Sequence, residues 1–453
     1  MSNNNTPMRT YMGCSFCGKS RQEVDKLIAG IDVLVAICNE CVDLCHNALQ
    51  KDKRSLYGSQ EGLRDLQDSN LIPPAEIKKI LDETVIGQDK AKIILSVAVY
   101  NHYKRILRSL QNAGAPKGDG ENLKTHQKTK VKKSNILLIG PTGTGKTLLA
   151  QSLADILKVP FAIADATSLT EAGYVGEDVE GILSRLLQDA DENVQLAEKG
   201  IVYIDELDKL ATKPTRGNTA RDVSGEGVQQ ALLKIIEGTV ANVPLKGVKL
   251  GQSKETVQMD TSNILFICGG AFVGLKDIID DRQSEKSTLG FGREAAEKKA
   301  QERTLGEVIS QVNTQDLADF GLIPELIGRV PVIATLHELT EGMLVSILKE
   351  PNNSLNDQYV TLFAMDNLKI DITNEALRAV ANKAIEMNSG ARALRAIMEK
   401  ALLKAMYEAP THPKKDKIKT VIITEETIAG GDPIYEFRGP FNFGGDEFSD
   451  EEA

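Results

Sequence analysis

The eight residues GPTGTGKT, Gly140 to Thr147, constrain the fold of this chain more than any other stretch. The apolar segment NILLI runs directly into them, and LLAQSLADIL follows with helical spacing. Glycines here let backbone N–H groups curl around phosphate oxygens, and the N-terminus of the next helix adds its positive dipole end. The stretch therefore predicts a P-loop in which Gly140, Pro141, Thr142, Gly143, Thr144, Gly145, Lys146 and Thr147 cradle ATP. Lys146 would reach the β- and γ-phosphates, and the Thr147 hydroxyl would ligate Mg²⁺.

From Ser134 to about Thr335, short apolar runs such as GIVYIDEL and NILFICGG alternate with helical patterns. That alternation predicts an α/β fold, a parallel sheet with helices on both faces. GIVYIDELDK lies about 60 residues after the P-loop and reads as a buried strand with Asp205 and Glu206 at its tip. Asp205 suits the Mg²⁺ shell, and Glu206 suits a general base that polarises the attacking water. With the P-loop present, the pair predicts an ATPase.

The flanking organisation follows from composition. Residues 1–55 form a cysteine-bearing N-terminal module and 56–70 a polar linker; the large domain spans 71–335. Within it, 109–133 reads as a solvated insertion and about 281–305 as a second polar interruption. Helical patterns dominate 336–430, a smaller domain, and 431–453 reads as an acidic, disordered tail. A net charge of −10 argues against a protein that grips nucleic acid along an extended surface. No apolar run reaches the roughly 20 residues of a membrane span, and MSNNNTPMRT lacks a signal-peptide pattern. The expectation is a cytoplasmic protein with reduced thiols.

Five of the six cysteines precede residue 46. CSFC and CNEC place Cys14, Cys17, Cys38 and Cys41 as two chelating pairs, the pattern of a closed structural zinc site with one Zn²⁺ per chain. Cys45 and His46 offer an alternative to Cys41, the symmetric pairing being preferred. A module this small has too little core to fold alone, so metal binding must supply the difference. Cys268, in an apolar run, reads as a small core residue.

Three further residues stand out by context. Arg329 in GLIPELIGRVP and Arg392 in SGARALRAI are each open to two readings, a solvated or salt-bridged arginine or a group that stabilises phosphoryl transfer. Tyr174, beside Val175 in SLTEAGYVGEDVEG, is an aromatic between two glycines in a chain that is 4% aromatic. The residues alone leave core packing and an exposed, gripping role both open.

Taken in order, the four-cysteine module, VIGQDKAK, GPTGTGKT, GYVGED, VYIDELDK, RDVSGEGVQQALLKIIEGT, GLIPELIGR and SGARALR resemble the ClpX family of AAA+ unfoldases. The resemblance covers nearly the whole chain and implies a homohexamer that hydrolyses ATP to pull unfolded or tagged proteins through an axial pore into the ClpP peptidase. It implies that Arg329 is an arginine finger and Arg392 a sensor arginine at the small-domain junction. Val85 and Ile86 would contact adenine, and Tyr174 and Val175 would form a pore paddle that grips substrate by area and shape. Leu289, Gly290 and Phe291 match the family's apolar peptidase-docking tripeptide, and the zinc module would recruit adaptor proteins. A second pore loop is implied near 211–221. The chain departs from the family at 244–254, where PLKGVKLGQSK lacks the basic Arg-Lys-His triplet. It departs again at Gly269-Gly270, where no polar sensor residue is evident. Acidic neighbours Glu171, Glu177 and Asp178 around the paddle disfavour a nucleic-acid channel.

Overall fold

The computed structural model describes residues 13–29, 35–42, 71–114, 131–170, 177–212, 223–245, 256–287 and 303–438. The chain divides into two units, Met1–Asn70 and Leu71–Ala453.

In the first unit, strands Leu27–Ala29 and Ala36–Cys38 form an antiparallel hairpin, and Gly13 bridges to Ser20. In the second, five parallel strands form the central sheet: β1 (Ile136–Ile139), β2 (Phe161–Asp165), β3 (Ile201–Asp205), β4 (Leu265–Gly270) and β5 (Val332–Thr335). Their spatial order is β5-β1-β4-β3-β2. Every residue of β1 and β4 is buried, which is why these strands read as continuous apolar runs and not as alternating ones.

Alternate strand residues serve opposite faces. Leu137, Ile139, Val202, Ile204 and Phe266 pack with α4 (Val179–Asp189) and α5 (Val223–Glu237) through Leu183, Leu186, Leu232 and Ile236. Ile136, Leu138, Tyr203 and Ile267 are buried on the other side. There α2 (Asp89–Gly114), preceded by α1 (Pro74–Thr84), lies against β5, and α3 (Lys146–Leu157) lies against β3 and β4. Beyond β4 come α6 (Leu275–Ser287) and α7 (Pro324–Arg329), the latter leading into β5.

The C-terminal part packs α8 (Glu341–Lys349), α9 (Leu355–Met365), α10 (Asn374–Glu386), α11 (Arg392–Glu408) and α12 (Glu425–Ala429) with a three-stranded sheet. That sheet orders β6 (Ile370–Ile372), β7 (Ile418–Ile423) and β8 (Ile434–Phe437) in sequence. Leu344, Leu348, Phe363, Leu377, Leu394, Met398 and Leu402 form its core.

Three boundaries differ from the sequence expectation. The insertion expected from 109 begins later, because α2 continues to Gly114; residues 115–130 lie outside the described residues. The second interruption also begins later, since α6 runs to Ser287. The tail expected to be disordered from 431 instead carries β8, antiparallel to β7. Tyr435 of β8 packs on the small core and donates from its hydroxyl to Glu408 at 3.4 Å, anchoring a segment whose composition looked solvated.

Candidate nucleotide site and zinc centre

The parallel register brings the functional strand ends together. Ile139 pairs with Gly270 and Asp165 with Asp205, so the P-loop and the acidic strand tip share the carboxyl edge of the sheet. Open α/β sheets bind ligands at that edge. Gly143 and Gly145 adopt left-handed backbone, φ 77° and 95°. Gly145 caps α3 without any side-chain acceptor, and the first intrahelical bond runs from the Leu149 N–H to the Gly145 carbonyl. The first-turn N–H groups of α3 therefore have no capping side chain and fit an anion.

Lys146 donates to the carbonyls of Gly140 at 2.7 Å and Pro141 at 2.9 Å. Burial holds its ammonium below the usual lysine range, while Asp205 pulls in the opposite direction. The Thr147 hydroxyl lies 3.2 Å from Asp205 Oδ2. Two adjacent oxygens on an octahedral Mg²⁺ sit about 3.0 Å apart, so this pair fits the metal.

Asp205 is itself held. Its Oδ1 accepts from the Tyr203 hydroxyl at 3.1 Å and from the Glu206 amide at 2.9 Å. Tyr203 was hidden in an apolar run; its hydroxyl reaches Asp205 because Gly269, on the neighbouring strand, has no Cβ. A methyl there would lie 2.2 Å from the phenol oxygen. Gly270 likewise leaves room for Asp208, whose carboxylate accepts from the amides of Ala271 and Phe272 at 3.2 Å each. The Gly269-Gly270 pair is thus a space for polar groups arriving from β3 and the turn after it. Glu206 has φ 56°, an uncommon conformation for a residue with a side chain, of the kind that concentrates at working sites.

Val85 and Ile86 follow α1 directly, and Val85 lies beside the loop: a Cβ on Gly145 would stand 3.8 Å from Val85 Cγ1. The buried Lys92 donates to the Val85 carbonyl and pairs with Asp82 at 2.7 Å. From the C-terminal part, the Ala391 N–H donates to the Gly143 carbonyl at 3.2 Å, which sets Arg392, the first residue of α11, at the P-loop. The positive charge of Arg392 acts on Lys146, lowering its proton affinity further. Lys146, Thr147, Asp205, Glu206, Val85, Ile86 and Arg392 therefore gather at one edge.

Arg329 does not join them. It ends α7 just before β5, whose first residue Val332 pairs with Ile136, the first residue of β1. The P-loop follows the last residue of β1, so Arg329 belongs to the opposite edge of the sheet. There its Nε and Nη2 bond Glu237 Oε1 at 2.8 and 2.6 Å, with about half of the side chain exposed (48%). Its carbonyl accepts from Asn135 Nδ2 at 2.8 Å. Tyr174 and Val175 lie outside the described residues, although the segments flanking them, Leu169–Thr170 and Glu177–Asp178, pair as short parallel strands. Leu289, Gly290 and Phe291 lie outside them too, as do 213–222 of the expected second pore loop and 246–254 of the stretch that departs from the family.

In the first unit the sulfurs of Cys14, Cys17, Cys38 and Cys41 all lie within 4.8 Å of one another, the one such cluster among the described residues. Cys17 and Cys38 Sγ are 3.7 Å apart, and a tetrahedral site with bonds of about 2.3 Å has edges near 3.8 Å. The Cys38 amide donates to Cys14 Sγ at 3.2 Å and the Cys41 amide to Cys38 Sγ at 3.4 Å. Burial opposes ionisation of Cys14, yet the amides of Cys17, Cys38 and Phe16 outweigh it and bring the thiol down to about 6. Cys45 and His46 lie outside the described residues. Cys268 is fully buried in β4, where burial pushes its thiol up to about 12, that of an inert core residue.

A P-loop sheet, a helical C-terminal part at its edge and a four-cysteine zinc-binding module define the class, a AAA+ ATPase of the Clp type. Residues 131–333 match the AAA domain (Cdc48 subfamily), and 339–423 match the C-terminal D2-small domain of ClpB protein. Residues 13–51 match the ClpX C4-type zinc finger. These three matches, in this order, are consistent with the ClpX family of AAA+ chaperones.

Proposed function

We propose that this chain is an ATP-driven unfoldase that works as a homohexamer, pulling unfolded or tagged proteins through an axial pore and delivering them to ClpP. The observation that carries the reading is the position of Arg329. It is half-exposed at the edge of the sheet opposite its own P-loop, so it supports action on ATP held by a neighbouring subunit.

Within one site the divisions of labour follow from the geometry. The P-loop amides and Lys146 would hold the phosphates, Thr147 and Asp205 would hold Mg²⁺, and Val85 and Ile86 would flank the base. Mg²⁺, when bound, would neutralise charge on the transferring phosphoryl group. Glu206 would accept a proton from the attacking water, and its amide is held by Asp205 Oδ1. Arg392 enters from the C-terminal part, so movement of that part would change the charge around Lys146. Tyr174 and Val175 as the pore paddle, and Leu289, Gly290 and Phe291 as the peptidase hook, rest on the family resemblance. The zinc site is structural, and its module is the surface for adaptors. The cell compartment this implies is the cytoplasm, with neither nucleic acid nor membrane as a partner.

The reading is tested with a stable, tagged reporter protein. ATP and this chain alone should unfold it, and degradation should require added ClpP. Deleting Leu289, Gly290 and Phe291 should abolish degradation while sparing ATP hydrolysis. A reporter that stays folded under hydrolysing conditions would remove the unfoldase assignment.

A further inference from the structure

Gln229, in the second turn of α5, has no solvent exposure. A buried side-chain amide is costly unless its donors and acceptor are paired, so its partners show what it is for. Nε2 donates to the Leu210 carbonyl at 2.8 Å, with Gly321 O more distant at 3.4 Å. Oε1 accepts from the Ile323 N–H at 2.8 Å. Leu210 closes the short 3-10 turn Leu207–Leu210 that follows Asp205 and Glu206. Ile323 is the N-cap of α7, the helix that ends in Arg329. One amide therefore joins the acidic strand end to the start of the arginine helix.

Two neighbouring links make this connection stiff. The Thr212 N–H donates to the Gly321 carbonyl at 3.1 Å. Gly321 has φ 119°, and a Cβ there would fall 2.6 Å from the Thr212 carbonyl, so only glycine fits. At the far end of α5, Glu237 holds the Arg329 side chain, while Asn135 holds its carbonyl. Helix α5 thus braces α7 at both ends.

We propose that Gln229 is a positioning residue for trans hydrolysis: it transmits the displacement of the Asp205–Glu206 strand end to α7, so that the nucleotide state of one site sets how Arg329 is offered to the next subunit. This rests on the reading that Arg329 acts on a neighbour.

The test uses full-length chains in mixed rings. Glu206→Gln subunits keep a normal Arg329 but should not hydrolyse their own ATP. Gln229→Met, close in volume, removes both the donor and the acceptor. Alone, it should keep nucleotide binding and ring assembly while hydrolysis falls by roughly 10², the scale of an ångström-level misplacement. Mixing it with excess Glu206→Gln should restore turnover per Gln229→Met subunit, because that subunit's own pocket is intact and is now served by a well-placed finger. Arg329→Ala mixed in the same way is the control and should also be restored.

Restoration of Arg329→Ala without restoration of Gln229→Met would place the defect in the subunit's own site and overturn the inference. Wild-type hydrolysis by Gln229→Met alone would overturn it as well. Failure of the Arg329→Ala control would instead remove the trans reading beneath it. If Gln229→Met does not assemble, Gln229→Glu decides by the same mixtures, since it keeps the acceptor for Ile323 and loses the donor to Leu210.

Discussion

Among the described residues of the first unit, the buried apolar side chains are Cys14, Ala36 and Cys38, and two of these are metal-ligand candidates. In the ATPase unit β1 alone buries Ile136, Leu137, Leu138 and Ile139 completely. The two regions obtain fixed geometry from different sources. Coordination bonds to four sulfurs replace a core in one, and apolar area removed from water provides it in the other. Each is therefore vulnerable in its own way: the first to anything that takes the metal or protonates a thiolate, the second to cavities and to charge placed in its interior.

The largest expected effect separates the regions outright. Stripping zinc with a chelator, or Cys38→Ala, should remove stabilisation of the order of 10 kcal/mol from the zinc module. The unfolding transition of the ATPase unit should stay where it was. Metal analysis together with two-transition calorimetry reads both, and an ATPase transition that moved with the metal would break the distinction. Next in size, Glu206→Gln should reduce steady-state phosphate release by roughly 10² to 10⁴, while bound nucleotide and zinc per chain remain unchanged. Normal hydrolysis in that variant would remove the assigned base.

The smallest effect is a titration within the ATPase unit. His102 is buried in α2, with Nε2 on the Asn263 carbonyl at 3.0 Å and Nδ1 unpartnered. Burial, with Arg105 and Lys133 nearby, brings its imidazole down from 6.5 to about 3. Between those values the unfolded chain binds a proton that the folded one does not, so stability rises with pH. It drains as pH falls from 6.5 toward 3, by up to about 1.4 kcal/mol per pH unit. His102→Gln should flatten the acid limb of the ATPase unit's stability–pH profile, measured by denaturant unfolding at each pH, by that amount; an unchanged slope would mean the imidazole is protonated in the fold.

Much of the site was legible before any fold. The P-loop, the Asp205-Glu206 tip and the four cysteines are short motifs whose spacing already encodes their geometry. What escaped were residues defined by distant partners. Tyr203 looked like core because its hydroxyl is useful only beside Gly269, which lies on the adjacent strand. Gln229 and Asn135 carried no signal, since their bonds reach Ile323 and Arg329, 94 and 194 residues away. Gly269-Gly270 read as a missing polar group when it is the opening through which Tyr203 and Asp208 enter. The boundaries at Gly114 and Ile434 slipped for a related reason, as composition marks solvation but not the neighbour that completes a helix or a sheet.

A phosphate loop and a pair of Cys-x-x-Cys knuckles each close over a few residues, where chain connectivity limits the geometry, so the chemistry they point to was legible in the sequence. Only the tertiary structure decided which groups act together and which stay apart. The strand order β5-β1-β4-β3-β2 brings Thr147 to Asp205 across β4 and sends Arg329 to the other edge. That outcome depends on parallel register and on packing across the sheet, and both are set by contacts between residues far apart in the chain.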